Sequence, residues 1–161
     1  MAISVGDQLP DINLFVMSDE GPAGQSLVQF AAGRKVVIFG VPGAFTPTCH
    51  ANHAPGFVAN AEAFKAKGVD EIACVAVNDI FVLDAWSKDL GAKGIVTMLA
   101  DGNGELASAL GLELDASAFG LGVRSHRFAM FVDNGVVQHV IVEDVPTSAE
   151  ATSAEALLAA I

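Results

Sequence analysis

Hydrophobic and polar positions change period several times along this chain, and each change predicts an element. Lys35-Val36-Val37-Ile38-Phe39-Gly40-Val41 is a continuous apolar run of strand length, which predicts a strand buried on both faces. From Thr48 onward, Ala51, Ala54, Phe57, Val58, Ala61 and Phe64 recur at helical spacing, and the helix they predict stops near Lys67-Gly68. Glu71-Ile72-Ala73-Cys74-Val75-Ala76-Val77 predicts a second buried strand and completes a strand, helix, strand unit. Asn78 or Asp79 is placed to cap a further helix through Phe81, Val82, Ala85, Trp86 and Leu90, and residues 95–99 predict a short strand.

Asp101-Gly102-Asn103-Gly104 is a turn cluster, followed by a short helix over residues 105–110 that ends at Gly111. Residues 127–132 and 136–142 flank Asp133-Asn134-Gly135, and Asn-Gly between two apolar runs predicts a hairpin. Ser148 opens a closing Ala-rich helix with Glu150 in its first turn and Ala154, Leu157, Leu158 and Ile161 along one side. Alternating strands and helices, then a hairpin and a helix, predict an α/β fold with a mixed central sheet flanked by helices. No Pro- or Ser-rich linker and no internal repeat divides residues 1–161, which read as a single domain.

Composition narrows the function more than the fold. A chain of 161 residues that is 52% hydrophobic can bury one core. Eight basic residues against nineteen acidic ones give a net charge of −11, which opposes the phosphate contacts on which nucleic-acid affinity depends. The N-terminal Met-Ala-Ile-Ser-Val-Gly-Asp lacks a basic region followed by an apolar run, and no segment is long enough to span a bilayer, so the expectation is a soluble, cytoplasmic protein with no membrane partner. Two cysteines, Cys49 and Cys74, are too few for a disulfide framework and are expected as reduced thiols. They are not a Cys-x-x-Cys pair, so a dithiol exchange site is not expected.

The candidate chemistry lies at Pro42-Gly43-Ala44-Phe45-Thr46-Pro47-Thr48-Cys49, which delivers Cys49 from the end of an apolar strand to the mouth of a helix. Unsatisfied backbone N–H groups and the positive end of the helix dipole there favour an anion over a neutral thiol, which makes Cys49 a candidate nucleophile. His53 stands at i+4 on the same helical face, a spacing open to a Cys-His pair or to half a metal site. No second cluster supplies two more ligands, so no metal is expected, and His53 is read as supporting the loop through hydrogen bonds. Cys74, in mid-strand, reads as a small buried hydrophobe.

Pro42-x-x-x-Thr46-x-x-Cys49 resembles the peroxiredoxins. The fuller string 41–49, His53-Ala54-Pro55-Gly56-Phe57 and Val77-Asn78-Asp79 resemble specifically their type II, peroxiredoxin-five-like branch, over most of the chain. The same resemblance puts Arg124, in Val123-Arg124-Ser125-His126-Arg127-Phe128, at the place of that branch's active-site arginine. It implies a thiol-dependent peroxidase on a thioredoxin-like fold, reducing hydrogen peroxide and alkyl hydroperoxides through a sulfenic acid at Cys49. In the catalytic set it implies, the Thr46 hydroxyl lies beside the sulfur, Pro42 shields it, and Arg124 supplies a permanent charge and several N–H donors. Arg127, at the start of the predicted hairpin, is a weaker supporting candidate outside that set. No cysteine follows Cys74, so the implied cycle has no bound cofactor and draws on an external thiol, glutathione with glutaredoxin, or on thioredoxin. The branch pairs through loops near the site, which implies a homodimer that Phe45, Phe81 or Phe119 could face. A peroxide-sensing relay passing oxidation to a partner would use the same Cys49, and a non-catalytic module would leave it inert.

Ionisation by itself is a weak catalyst for a thiol, because nucleophilicity falls with basicity at a Brønsted slope of about 0.4 to 0.5 and returns part of the gain in thiolate. Fast peroxide reduction then needs groups that hold the peroxide and stabilise charge on the departing oxygen.

Overall fold

The computed structural model describes residues 1–161. The chain opens with a hairpin of β1 (Asn13–Ser18) and β2 (Gly21–Ser26), followed by α1 (Leu27–Ala31). The first apolar run is β3 (Lys35–Val41) and the second is β4 (Glu71–Ala76), parallel to it. Between them lie a π turn (Cys49–His53), α2 (Ala54–Ala59) and α3 (Ala61–Ala66). Next come α4 (Ile80–Leu90), β5 (Thr97–Ala100) and α5 (Glu105–Ala109), then β6 (Glu113–Asp115) paired with β7 (Val123–Ser125) in a small sheet of their own. The chain ends with β8 (Phe128–Asp133), β9 (Val136–Val142) and α6 (Ala154–Ala160). Seven strands form one mixed sheet in the order β2-β1-β5-β4-β3-β8-β9.

Period-two alternation divides the core between the faces of this sheet. Val37, Phe39, Val41, Ile72 and Cys74 face the helices that carry Cys49, Phe57, Trp86 and Leu157; Val36, Ile38, Ala73, Val75 and Leu99 face α1 and α5. The antiparallel register of β3 and β8 sets Gly40 opposite Phe128, so β8 begins where β3 ends, beneath the loop that leads to Cys49. Glycine is required at 40 because a Cβ there would overlap the Phe128 ring. That close approach fixes the height at which Arg127 enters.

The mixed α/β sheet, the two buried strands and the Asn-Gly hairpin agree with the sequence; Asn134 and Gly135 both adopt positive φ, as a tight hairpin turn demands. Asp79, rather than Asn78, caps α4, its Oδ1 accepting from Val82 N at 2.9 Å. Two expectations need correction, and one hairpin was not expected. The single helix from Thr48 to Lys67 is a π turn and two short helices. Ala54 N bonds back five residues to the Cys49 carbonyl, and Pro55, which has no N–H, cannot restore α spacing at the next position. The closing helix starts at Ala154, capped by Ser153, because Ala151 N and Thr152 N donate to Glu143 instead of starting a helix at Ser148. The β1–β2 hairpin carries no strong sequence signal, since β2 reads Gly-Pro-Ala-Gly-Gln-Ser and tolerates Pro22 only as an edge strand. No helix is long and apolar enough to cross a membrane.

Candidate active site

Cys49 reaches its position through a loop fastened at three points. The Asn78 side chain accepts from Ala44 N at 2.9 Å, the Thr46 hydroxyl donates to the Gly43 carbonyl at 2.7 Å, and His50 N donates to the Thr46 carbonyl at 2.9 Å. Phe45 is held at φ 62°, a strained conformation for a residue with a Cβ, with its ring stacked on His50. His50 Nδ1 accepts from the indole N–H of Trp86 at 3.0 Å, tying the residue after Cys49 to α4.

The guanidinium at the sulfur belongs to Arg127. Its Nη2 donates to Cys49 Sγ at 3.1 Å and to the Pro146 carbonyl at 3.3 Å, and its Nη1 donates to His53 Nδ1 at 3.0 Å. Arg127 is 2% exposed, forms no ion pair, and its Nε is buried without a partner. A guanidinium cannot accept, so His53 Nδ1 is an acceptor; the proton sits on Nε2 and donates to the Thr152 carbonyl at 2.9 Å. Burial first, then the Arg127 charge, lowers the His53 pKa to about 4, against smaller opposing effects of the Thr152 carbonyl and Glu143. Both imidazole nitrogens are engaged, which leaves no lone pair for a metal, and no group of three or more His, Cys, Asp or Glu is placed to hold one.

Arg124, the arginine expected at the sulfur, goes elsewhere. Its Nε donates to the Leu121 carbonyl at 2.9 Å and its Nη1 to the Pro42 carbonyl at 3.4 Å. Gly43 makes room for it, since a Cβ there would lie 2.9 Å from Arg124 Nη1. Thr46 is on the same loop, but its hydroxyl is spent on Gly43 rather than on Sγ, and Pro42 is buried under the loop. The structure therefore brings Pro42, Thr46 and Arg124 together on the loop, and Cys49, Arg127 and His53 together beneath it. Cys49, which a peroxide must reach, is 0% exposed in this state. A cleft of about 300 Å³ lined by Thr48, Asn52, Thr147, Ser148, Ala149 and Glu150 opens beside the π turn.

Cys74 shares the buried cluster of Cys49, and both thiols are free. Burial, and next the neighbouring Cys49, push the Cys74 thiol well up, which keeps it protonated. The turn Gly102-Asn103-Gly104 leads into α5, where Leu106 N and Ala107 N both donate to the Asp101 carboxylate, at 3.0 and 2.9 Å. That side chain occupies the place a dinucleotide phosphate would need.

Residues 4–158 match the Redoxin family. The chain is 48% identical over 163 residues to Peroxiredoxin-2C of Arabidopsis thaliana, covering 99% of this chain and 98% of the relative. It is 48% identical over 147 residues to the chloroplastic Peroxiredoxin-2E of the same plant, covering 89% of this chain but 63% of that longer protein. Among solved structures it is similar to reduced Prx3 in complex with H2O2 from Vibrio vulnificus, with a TM-score of 0.93, 48% identity and 98% of each chain covered. It is also similar to a Burkholderia cenocepacia protein described as a putative thioredoxin reductase, with a TM-score of 0.96, 49% identity, and 100% of this chain and 99% of that one covered. The two cysteines of this chain are not a Cys-x-x-Cys pair, and the backbone donors that follow its Gly102-Asn103-Gly104 turn are taken by Asp101.

Proposed function

The chain belongs to the redoxin family as a peroxiredoxin, a thiol-dependent peroxidase, and from that premise we propose that Cys49 is the sulfur that reduces hydrogen peroxide and alkyl hydroperoxides. The thiolate attacks one peroxide oxygen, an S–O bond forms as the O–O bond breaks, and the sulfur is oxidised to a sulfenic acid. The departing hydroxide or alkoxide takes up one proton and leaves as water or alcohol. An external thiol then attacks the sulfenic sulfur, water leaves, and a second thiol reduces the mixed disulfide and returns Cys49.

One observation carries this reading: a buried arginine with Nη2 on the sulfur and an Nε that has no partner. A peroxide oxygen entering beside the sulfur meets a donor free to accept charge as the O–O bond stretches. The role that the resemblance gave to Arg124 thus passes to Arg127, while Arg124 holds the loop at Pro42. Thr46 turns its hydroxyl from Gly43 to the peroxide, and Pro42 keeps water from the sulfur. Entry requires the Arg127 to Pro146 bond, the longest of the three made by the guanidinium, to yield.

Glutathione with glutaredoxin is the reductant we favour, ahead of thioredoxin, because Cys74 is a buried, protonated thiol within the sheet and a poor internal partner. The cleft beside the π turn is where such a thiol would approach. Phe45, Phe81, Phe119 and Val123, all exposed, support pairing with a second copy of the chain.

Stopped-flow fluorescence of Trp86, the single tryptophan, tests the assignment. Hydrogen peroxide is expected to oxidise the protein at least about 10²-fold faster than free cysteine, and Cys49→Ser to abolish the signal. A wild-type rate equal to that of free cysteine would overturn the reading. Turnover with glutathione plus glutaredoxin, compared with thioredoxin, decides the reductant.

A further inference from the structure

A buried carboxylate that touches neither the sulfur nor the guanidinium is connected to both. Glu143, the residue after β9, is 7% exposed, and its side chain turns back toward the segment that precedes α6. Glu143 Oε2 accepts from Thr152 N at 3.0 Å and from Thr152 Oγ1 at 2.8 Å, while Oε1 accepts from Ala151 N at 3.3 Å. Burial opposes the charge, but these hydrogen bonds outweigh it and hold the carboxyl below its ordinary range. Thr152, 0% exposed, is fixed by that clamp, and its carbonyl receives the His53 Nε2 proton. The tautomer so selected leaves Nδ1 as an acceptor for Arg127 Nη1, which aims Nη2 at Cys49. Glu143 N also donates to the Arg127 carbonyl at 2.9 Å, so the clamp and the arginine share a backbone anchor.

We propose that Glu143 is a positioning residue which, through Thr152 and His53, holds the Arg127 guanidinium on Cys49. A buried arginine without an ion pair is costly and tends to seek a carboxylate or solvent. Here the negative charge is placed two residues away along a hydrogen-bonded relay instead of on the guanidinium. The relay fixes direction while leaving the Nε donor uncommitted, which a direct bidentate carboxylate would not. The simpler alternative, a carboxylate that only fastens the segment before α6, needs no link through His53.

The proposal rests on the peroxidase reading. That reading fails when wild-type protein reacts with hydrogen peroxide no faster than free cysteine; the proposal fails with the wild-type rate intact. Two rates are measured for each variant: oxidation by hydrogen peroxide, and alkylation of Cys49 by iodoacetamide, which needs the thiolate and access but no donor to a leaving oxygen. Glu143→Gln is expected to slow the peroxide reaction by about 10-fold or more, and by at least threefold more than alkylation, because a displaced donor forfeits transition-state contact. His53→Asn keeps an acceptor near the Nδ1 position but cannot bond Thr152, so in that background Glu143→Gln is expected to cost less than about twofold. Equal slowing of both reactions, or the same penalty with and without His53, overturns the proposal. Should Glu143→Gln fail to fold, Thr152→Val, which removes one donor to the carboxylate, decides by the same threefold ratio.

Discussion

Arg124 and Arg127, three residues apart, leave the backbone at different sheets, one within a strand and one just before a strand. Arg124 sits in β7 of the small two-stranded sheet, partly exposed, with its donors spread over the carbonyls of Leu121 and Pro42. Arg127 immediately precedes β8 of the central sheet, buried, with its donors on a sulfur, an imidazole and a carbonyl. The first braces a loop from outside and the second reaches the sulfur from below. Distance along the chain says little here; what separates the two is which strand lies beside the β3 exit, and the Gly40 to Phe128 register makes that β8, which Arg127 immediately precedes.

The largest expected effect tests this contrast directly. Arg127→Ala should slow peroxide reduction by about 10²- to 10³-fold in stopped-flow, the scale of losing one oxyanion-type donor, and Arg127→Lys should recover little because an ammonium cannot serve the sulfur and His53 with one planar fork. A loss below tenfold would erase the distinction between the two arginines.

The setting of Arg127 should also show in stability. His53 binds a proton in the unfolded chain below about 6.5 but in the folded protein only below about 4, so the unfolded state takes up more protons in that window. Stability is therefore full above pH 6.5 and falls on acidification, by about 2 kcal/mol at pH 5 and about 3 kcal/mol below pH 4. Urea titrations at pH 7 and pH 5 should show this difference in the wild type and not in His53→Asn; an equal loss of stability in both proteins would show that His53 is not the group responsible.

The smallest effect belongs to the outer arginine. Arg124→Ala should slow peroxide reduction by less than about fivefold, since it removes long or single hydrogen bonds from a partly solvated group. A loss matching that of Arg127→Ala would restore the role that the sequence suggested for it.

Much of the fold was legible where one period dominates a segment: the apolar runs of β3 and β4, and Asn134-Gly135 between two strands. Cys49 was legible as well, because strand, Pro-Gly loop and helix start follow one another within the chain. Arg127 at the sulfur was not, since its position depends on β8 lying beside β3, and strand order is a long-range property no local pattern encodes. The one hint was that Arg127 directly precedes the buried run beginning at Phe128, whereas Arg124 stands among glycines and polar residues. Glu143 and Thr152 gave no sign at all. The helical spacing after Ser148 was real, yet a carboxylate eight and nine residues earlier captured the backbone donors that would have started the helix.

The two thiols share one apolar interior but would be released by different events. Cys49 hangs from a single irregular turn pinned by a few side chains, whereas Cys74 lies in β4 with β3 on one side and β5 on the other. Loosening a few residues frees the first; the second emerges only when the sheet itself comes apart. One thiol-specific label, followed over time, would therefore act as a two-hand clock for this molecule, its fast hand counting breaths of the active site and its slow hand counting whole-molecule unfolding.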